Sequence, residues 1–188
     1  MYKIIALIGE SGSGKDSVLR EFLIKYPKCH KIINCTTRPI REGESQGIHY
    51  HYMSSEEFNK RKWNHEMIED ACFNGWFYGT HKSALDENAI NIGVFNPKGV
   101  EQLLENEDCD VLVLWVRSSP KERLLRQLMR EQHPNVHEIV RRFSTDETDF
   151  YRLPFKFFEI PNESFSDLLA SSKEIMDQAE RKFALGQN

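Results

Sequence analysis

The stretch "KIIALIGESGSGKDSVL", residues 3–19, decides how the chain is read. Ile4 to Ile8 form a nearly continuous apolar run ending at Gly9, the pattern of a strand buried on both faces of a parallel sheet. Gly9, Gly14 and Lys15 then have the spacing G-x-x-x-x-G-K-[ST], although Asp16 stands where the motif has a hydroxyl. Val18, Leu19, Phe22, Leu23 and Tyr26 recur at helical spacing, so strand, glycine loop and helix follow in the order a phosphate-binding loop requires. In such a loop the main-chain amides turn inward on anionic oxygens, and the following helix adds its positive end. The predicted phosphate site is Gly9, Ser11, Gly12, Ser13, Gly14, Lys15, Asp16 and Ser17, with ATP as its ligand and Lys15 as the point charge on the β and γ phosphates.

The missing hydroxyl bears on metal. A loop Ser or Thr ligates Mg²⁺, a hard cation that takes oxygen ligands and keeps several waters. Asp16 could serve the metal directly or through water, or act as a first-turn acid favoured by the helix dipole. Ser17 cannot stand in, because one helical step rotates a side chain by about 100°.

At 188 residues the chain is long enough for one sizeable core and too short for two ordinary enzyme domains. A net charge of −4 gives no broad electrostatic argument for nucleic acid or a membrane surface, so neither is expected as a partner. Cys29, Cys35, Cys72 and Cys109 lack C-x-x-C spacing and read as reduced thiols of a cytoplasmic protein. No apolar stretch approaches the roughly 20 residues that cross a bilayer.

Further along, Ser54 and Glu57 have capping-box spacing and predict a short helix near 55–62. Val111 to Val116 read as a strand, and Ser119-Pro120 with Glu122 open a helix whose buried stripe would be Leu124, Leu125, Leu128 and Met129, ending before Pro134. Residues 156–160 predict one more strand. A last amphipathic helix would bury Leu168, Leu169, Ile175, Met176, Ala179 and Phe183, and Gly186 to Asn188 are expected to fray. Alternating strands and helices imply an α/β fold with a mostly parallel sheet, and residues 34–80, rich in Tyr, His, Gly and Arg, read as an inserted, partly β lobe.

"TTRPIREGESQGIHY", residues 36–50, sets Arg38 and Arg41 near each other with Tyr50 beyond, groups able to enclose a phosphate with directed hydrogen bonds. "MIEDACFNGWFYGT", residues 67–80, places Glu69 ahead of Tyr78, Gly79 and Thr80. With the phosphate loop, these segments resemble the guanylate kinase family, whose pattern runs through T-T-R-x-x-R-x-G-E-x-x-G-x-x-Y, an I-E segment, Y-G-T and a set of lid arginines. The resemblance implies a P-loop NTPase-type parallel sheet flanked by helices. It also implies a single domain over 1–188: a core of about 1–33, 81–118 and 150–188, an acceptor lobe of about 34–80 and a helical lid of about 119–149. By it, Arg38, Arg41, Tyr50 and Tyr78 would hold the acceptor's phosphate, while Glu69, Thr80 and Asn34, the last where the family usually has serine, would face the base. Guanine suits such a set, because one carboxylate accepts from both N1–H and the exocyclic amine, neither of which adenine offers. Arg126 and Arg130, four residues apart on one helix, and Arg142 on the next would be the lid cations that act with Lys15 in catalysis.

The resemblance breaks at "IGVFNPKGV", residues 92–100, where Val94 and Asn96 occupy the places of the family's D-x-D acids, Asn96 still falling at the acceptor. Asp16 would then restore negative charge near Mg²⁺. His49 and His51 alternate with Tyr50 and Tyr52 as if on one strand face, and none of the seven histidines reads as a metal ligand. The activity implied is transfer of the ATP γ-phosphate to GMP or dGMP. Two alternatives stand: a related kinase for another (deoxy)nucleoside monophosphate or a sugar phosphate, and an inactive kinase-like domain that binds a protein partner.

Overall fold

The computed structural model of the protein describes residues 1–41, 43–73, 75–130 and 132–184; the expected fraying of Gly186 to Asn188 lies outside the described residues. In chain order the elements are β1 (Tyr2–Ile8), α1 (Lys15–Lys25), β2 (His30–Lys31), β3 (Cys35–Thr36), β4 (His51–Tyr52), α2 (Ser55–Trp63), β5 (Met67–Phe73) and β6 (Trp76–His81). A short 3₁₀ turn at Lys82–Ala84 leads to β7 (Ile90–Val94), α3 (Pro97–Glu105), β8 (Cys109–Arg117), α4 (Pro120–Met129), α5 (Val136–Asp149), β9 (Phe158–Pro161) and α6 (Phe165–Ala184).

Five strands form a parallel sheet in the order β2-β7-β1-β8-β9. The α/β class with a parallel sheet is thus as expected. The apolar run of β1 is explained by its two faces. Ile5 and Leu7 pack with Val18, Leu19 and Phe22 of α1 and Ile175, Ala179 and Phe183 of α6, whereas Ile4, Ala6 and Ile8 pack with Val100 and Leu103 of α3, Trp115 and Phe150. Every residue from Ile4 to Ile8 is fully buried, so neither face tolerates a polar side chain. A second sheet, β4-β3-β6-β5, lies apart from the first, with antiparallel β3·β6 and β5·β6 pairs. The loop after β1 opens at the carboxyl end of the parallel strands, where α/β sheets bind ligands.

Several expectations need correction. On α4, Leu124 and Leu125 are each 41% exposed and Met129 is 83% exposed, while Arg123 and Gln127 are the buried positions. The helix packs against main-chain carbonyls of the phosphate loop, which require hydrogen-bond donors, so a polar stripe faces inward. Leu169 of α6 is 51% exposed and lies outside the stripe that buries Ile175, Ala179 and Phe183. The last strand is shifted to Phe158–Pro161. Ser54 caps α2 by accepting from the Glu57 amide at 3.1 Å, but the Glu57 carboxylate turns to Arg61 and leaves the capping box one-sided. His49 lies before β4 in a turn, where Nδ1 accepts from the Ser45 amide, and does not share a strand face with His51.

Candidate active site

One continuous cavity of about 1030 Å³ runs from the phosphate loop to the second sheet. At its donor end Gly14 adopts φ 84° and caps α1, and Gly12 has φ 81° with so close a neighbour that a Cβ there would lie 2.5 Å from the Arg123 carbonyl oxygen. Only glycine meets both demands. The loop's geometry is held from behind. The Ser13 carbonyl accepts from Asn162 Nδ2 at 2.8 Å, Ser118 Oγ at 3.1 Å and Arg126 at 3.2 Å. Because carbonyl and following N–H point opposite ways across a trans peptide, these donors turn the Gly14 amide away from them. Asp16 is exposed in the first turn of α1 and lines the cavity.

At the acceptor end, the Glu69 carboxylate, from β5, is buried beside Thr80 of β6 and Asn34. Thr80 Oγ1 lies 2.6 Å from Glu69 Oε1 and 3.3 Å from Asn34 Oδ1, and Asn34 Nδ2 donates to the Val94 carbonyl at 2.8 Å. Burial lifts the Glu69 carboxyl from 4.5 to about 7. Asn96 lines the cavity, but its Oδ1 caps α3 by accepting from the Gly99 amide at 2.8 Å.

Between the two ends stands a cluster of guanidinium groups. Arg38 is buried, its Nη2 donating to both Glu44 carboxylate oxygens at 2.9 Å and its Nη1 to the Pro39 carbonyl at 2.7 Å, and it lies over the rings of Tyr50 and Tyr52 at 5.5 and 5.6 Å. Tyr50 and Tyr78 meet edge to face, their centroids 5.9 Å apart. Burial raises the Tyr50 phenol, and the Asp16 charge raises it further, so that acid is felt across the cavity. Arg41 donates through its main chain to Glu44, while burial and then the charges of Arg142, Arg38 and Arg130 disfavour its own charge. Arg130 reaches Glu44 at 3.9 Å, and Arg142 donates to Glu138 at 2.8 Å. Hydrogen bonds from Arg141 and then Arg142 outweigh burial and hold the Glu138 carboxyl down to about 2. Among the described residues lining the cavity, Lys15 and Arg41 are the two cations whose side chains make no hydrogen bond or ion pair, and Asp16 is the one such carboxylate.

The motifs thus converge on one cavity, although Ser13 and Thr80 are fully buried and do not line it. Arg126 lines the cavity but its guanidinium is committed to carbonyls, donating also to Asn162 O at 2.7 Å. Glu44, which fixes Arg38 and Arg41, sits inside the quoted R-x-G-E segment, where the signal was present but unassigned. Buried Asp146, Arg123 and Gln127 against the loop were missed entirely.

A family profile described as guanylate kinase matches residues 1–179. The chain belongs to the guanylate kinase family. The guanylate kinase of Sulfurimonas denitrificans is 29% identical over 184 residues, covering 95% of this chain and 89% of that one. That of Gloeobacter violaceus is 31% identical over 144 residues, covering 74% and 69%. A crystal structure of guanylate kinase from Anaplasma phagocytophilum superposes with a TM-score of 0.69 over 94% of this chain and 83% of that one; its 20% identity speaks to the fold alone. Within the guanylate kinase fold, Val94 and Asn96 bring no carboxylate to the end of β7, and Asp16 brings one to the head of α1.

Proposed function

We propose that this chain transfers the γ-phosphate of ATP to GMP or dGMP, giving ADP and GDP or dGDP. The observation that carries the reading is that, among the described residues, Lys15 at the loop and Arg41 in the guanidinium cluster make no side-chain hydrogen bond or ion pair, in a single cavity whose far wall presents a buried carboxylate. A charge left without a partner in a partly buried site implies that an anion completes it. Lys15 and the loop amides receive the donor's phosphates, while Arg41, Arg38, Tyr50 and Tyr78 receive the acceptor's. Glu69, Thr80 and Asn34 face the base, and Asn96 lines the wall beside them. Residues 34–80 then act as an acceptor lobe and 119–149 as a lid on the core.

The protein supplies no nucleophile. Two anions are brought end to end, and Lys15, Arg130 and Arg142 compensate the charge that spreads over the transferred group. Among the described residues no cluster of three or more His, Cys, Asp or Glu side chains could cage a metal, which suits Mg²⁺ held by substrate phosphates and water with one carboxylate. Asp16, unpaired and lining the cavity, is the group for that place. When bound, the ion neutralises phosphate charge.

No helix among the described residues is long and apolar enough to cross a membrane, and all four cysteines are free thiols; we place the protein in the cytoplasm. The test is a coupled ADP-release assay across the common ribo- and deoxynucleoside monophosphates. Turnover confined to guanine nucleotides is the expected result. Turnover on other acceptors would transfer the reading to a related kinase, and none at all to a protein-binding domain.

A further inference from the structure

Ser11 is held on both sides of its main chain by buried side chains of α4 and α5. Its N–H donates to Asp146 Oδ2 at 2.8 Å, and its carbonyl accepts from Arg123 Nε at 3.0 Å and Gln127 Nε2 at 3.3 Å. Arg123 closes the ring by donating to the same Asp146 oxygen at 2.8 Å. Asp146 is 1% and Arg123 6% exposed, so this ion pair is fully desolvated. Arg123 also approaches Glu10 at 3.5 Å, whose other oxygen accepts from Trp115 Nε1 at 2.9 Å, tying the cluster to β8.

A buried ion pair is a weak source of stability, since desolvation offsets its attraction, and an apolar pair of like volume often serves as well or better. What this pair supplies is register. Holding the Ser11 carbonyl on Arg123 points the Gly12 amide the opposite way across the trans peptide. Asp146, Arg142 and Glu138 repeat at four-residue spacing on α5, so all three share one face, and they all line the cavity. The bond from Asp146 to Ser11 therefore fixes how far Arg142 stands from the phosphate loop.

We infer that Arg123 and Asp146 are positioning residues that pin the phosphate loop to both lid helices, and so set donor binding and transfer rate far more than acceptor binding. This rests on the donor role given above to the loop. The experiment measures kcat, KM for ATP and KM for GMP, together with ADP binding by calorimetry in the absence of turnover, in Arg123→Ala, Asp146→Ala, their double variant and Asp146→Asn. Expected are an ADP affinity and a kcat each at least tenfold lower in the single variants, a GMP KM within twofold of wild type, a double variant no worse than the worse single, and partial recovery in Asp146→Asn, which keeps an acceptor for the Ser11 amide. Additive losses, or losses spread equally over both nucleotides, would overturn the inference. Should the alanine variants fail to fold, Arg123→Met with Asp146→Leu preserves packing without charge; normal kcat and ADP affinity in that protein would overturn it, and a donor-side loss would support it. Wild-type protein that binds ADP but leaves GMP unphosphorylated would count against the proposed function, and the ADP arm would still judge the pin.

Discussion

The Thr80 hydroxyl stands 2.6 Å from the Glu69 carboxylate in the wall of the cavity, and among the described residues no cation pairs with that acid. Raising its carboxyl from 4.5 to about 7 corresponds to roughly 3 kcal/mol of preference for the protonated form in the free protein. That preference strengthens the fold below pH 4.5 and is lost as pH rises through about 7. Guanine's two adjacent donors need two acceptor oxygens, which only the ionised acid provides. Glu69→Gln should therefore raise Tm at pH 8 more than at pH 5 while raising the KM for GMP at least tenfold. Wild-type affinity for GMP should improve as pH rises through 7. Glu69→Gln supplies the baseline, because its pH profile contains only the nucleotide's own phosphate ionisation. Parallel pH profiles for the two proteins would remove Glu69 from base recognition.

Lys15 and Arg41, whose side chains make no hydrogen bond or ion pair among the described residues, distinguish the two ends of the site. Lys15→Met should lower kcat by about two orders of magnitude or more, as loss of a cation placed on developing charge does. Arg41→Met should instead act mainly on the acceptor, with a tenfold or greater rise in the KM for GMP. Arg41 is half-buried near Arg142, Arg38 and Arg130, which disfavour its charge, so its removal should leave Tm at low salt equal to or above that of wild type. A lower Tm would mean that Arg41 holds the fold together rather than waiting for an anion.

The contrast between β1 and α4 explains what the sequence made legible. From β1 through α1 the signal is local: an apolar run, glycines at fixed spacing and a helical stripe all lie within 25 residues and agree with one another. On α4 two stripes coexist at helical spacing, Leu124, Leu125 and Leu128 on one side and Arg123 and Gln127 on the other. Hydropathy favours burying the leucines. The outcome was decided by what α4 meets, the Ser11 carbonyl and the Asp146 carboxylate, from segments more than one hundred residues before it and about twenty after it. Glu44 was hidden differently: it lies in a recognised segment, but its task, holding Arg38 and the Arg41 main chain, shows only once the loop is folded.

Gly99 offers a third test, because a Cβ at this position would lie 2.5 Å from Glu69 Oε2. Alanine is the better helix former by about 1 kcal/mol, so Gly99→Ala should favour α3 while displacing the carboxylate from its place beside Thr80. The expected result is a higher KM for GMP with the KM for ATP within twofold of wild type. Unchanged acceptor kinetics would show that the carboxylate need not occupy that position.

Asp16 is the most direct probe of the metal. It has no hydrogen bond or ion pair among the described residues and raises the Tyr50 phenol from across the cavity, so its charge reaches the tyrosine side of that space. With Val94 and Asn96 at the end of β7, no acid from that strand shares the task. If Asp16 holds Mg²⁺, Asp16→Asn should raise the Mg²⁺ concentration needed for half-maximal turnover severalfold, since a neutral oxygen is the poorer ligand. Asp16→Ser should recover part of that loss, because a hydroxyl in the first turn can itself bind the ion. Folding should be little affected at an exposed site, where the acid's helix-dipole contribution is about 0.3–1 kcal/mol. Titration of turnover with Mg²⁺ at fixed total nucleotide checks this, and identical curves for all three proteins would reduce Asp16 to an ordinary first-turn acid.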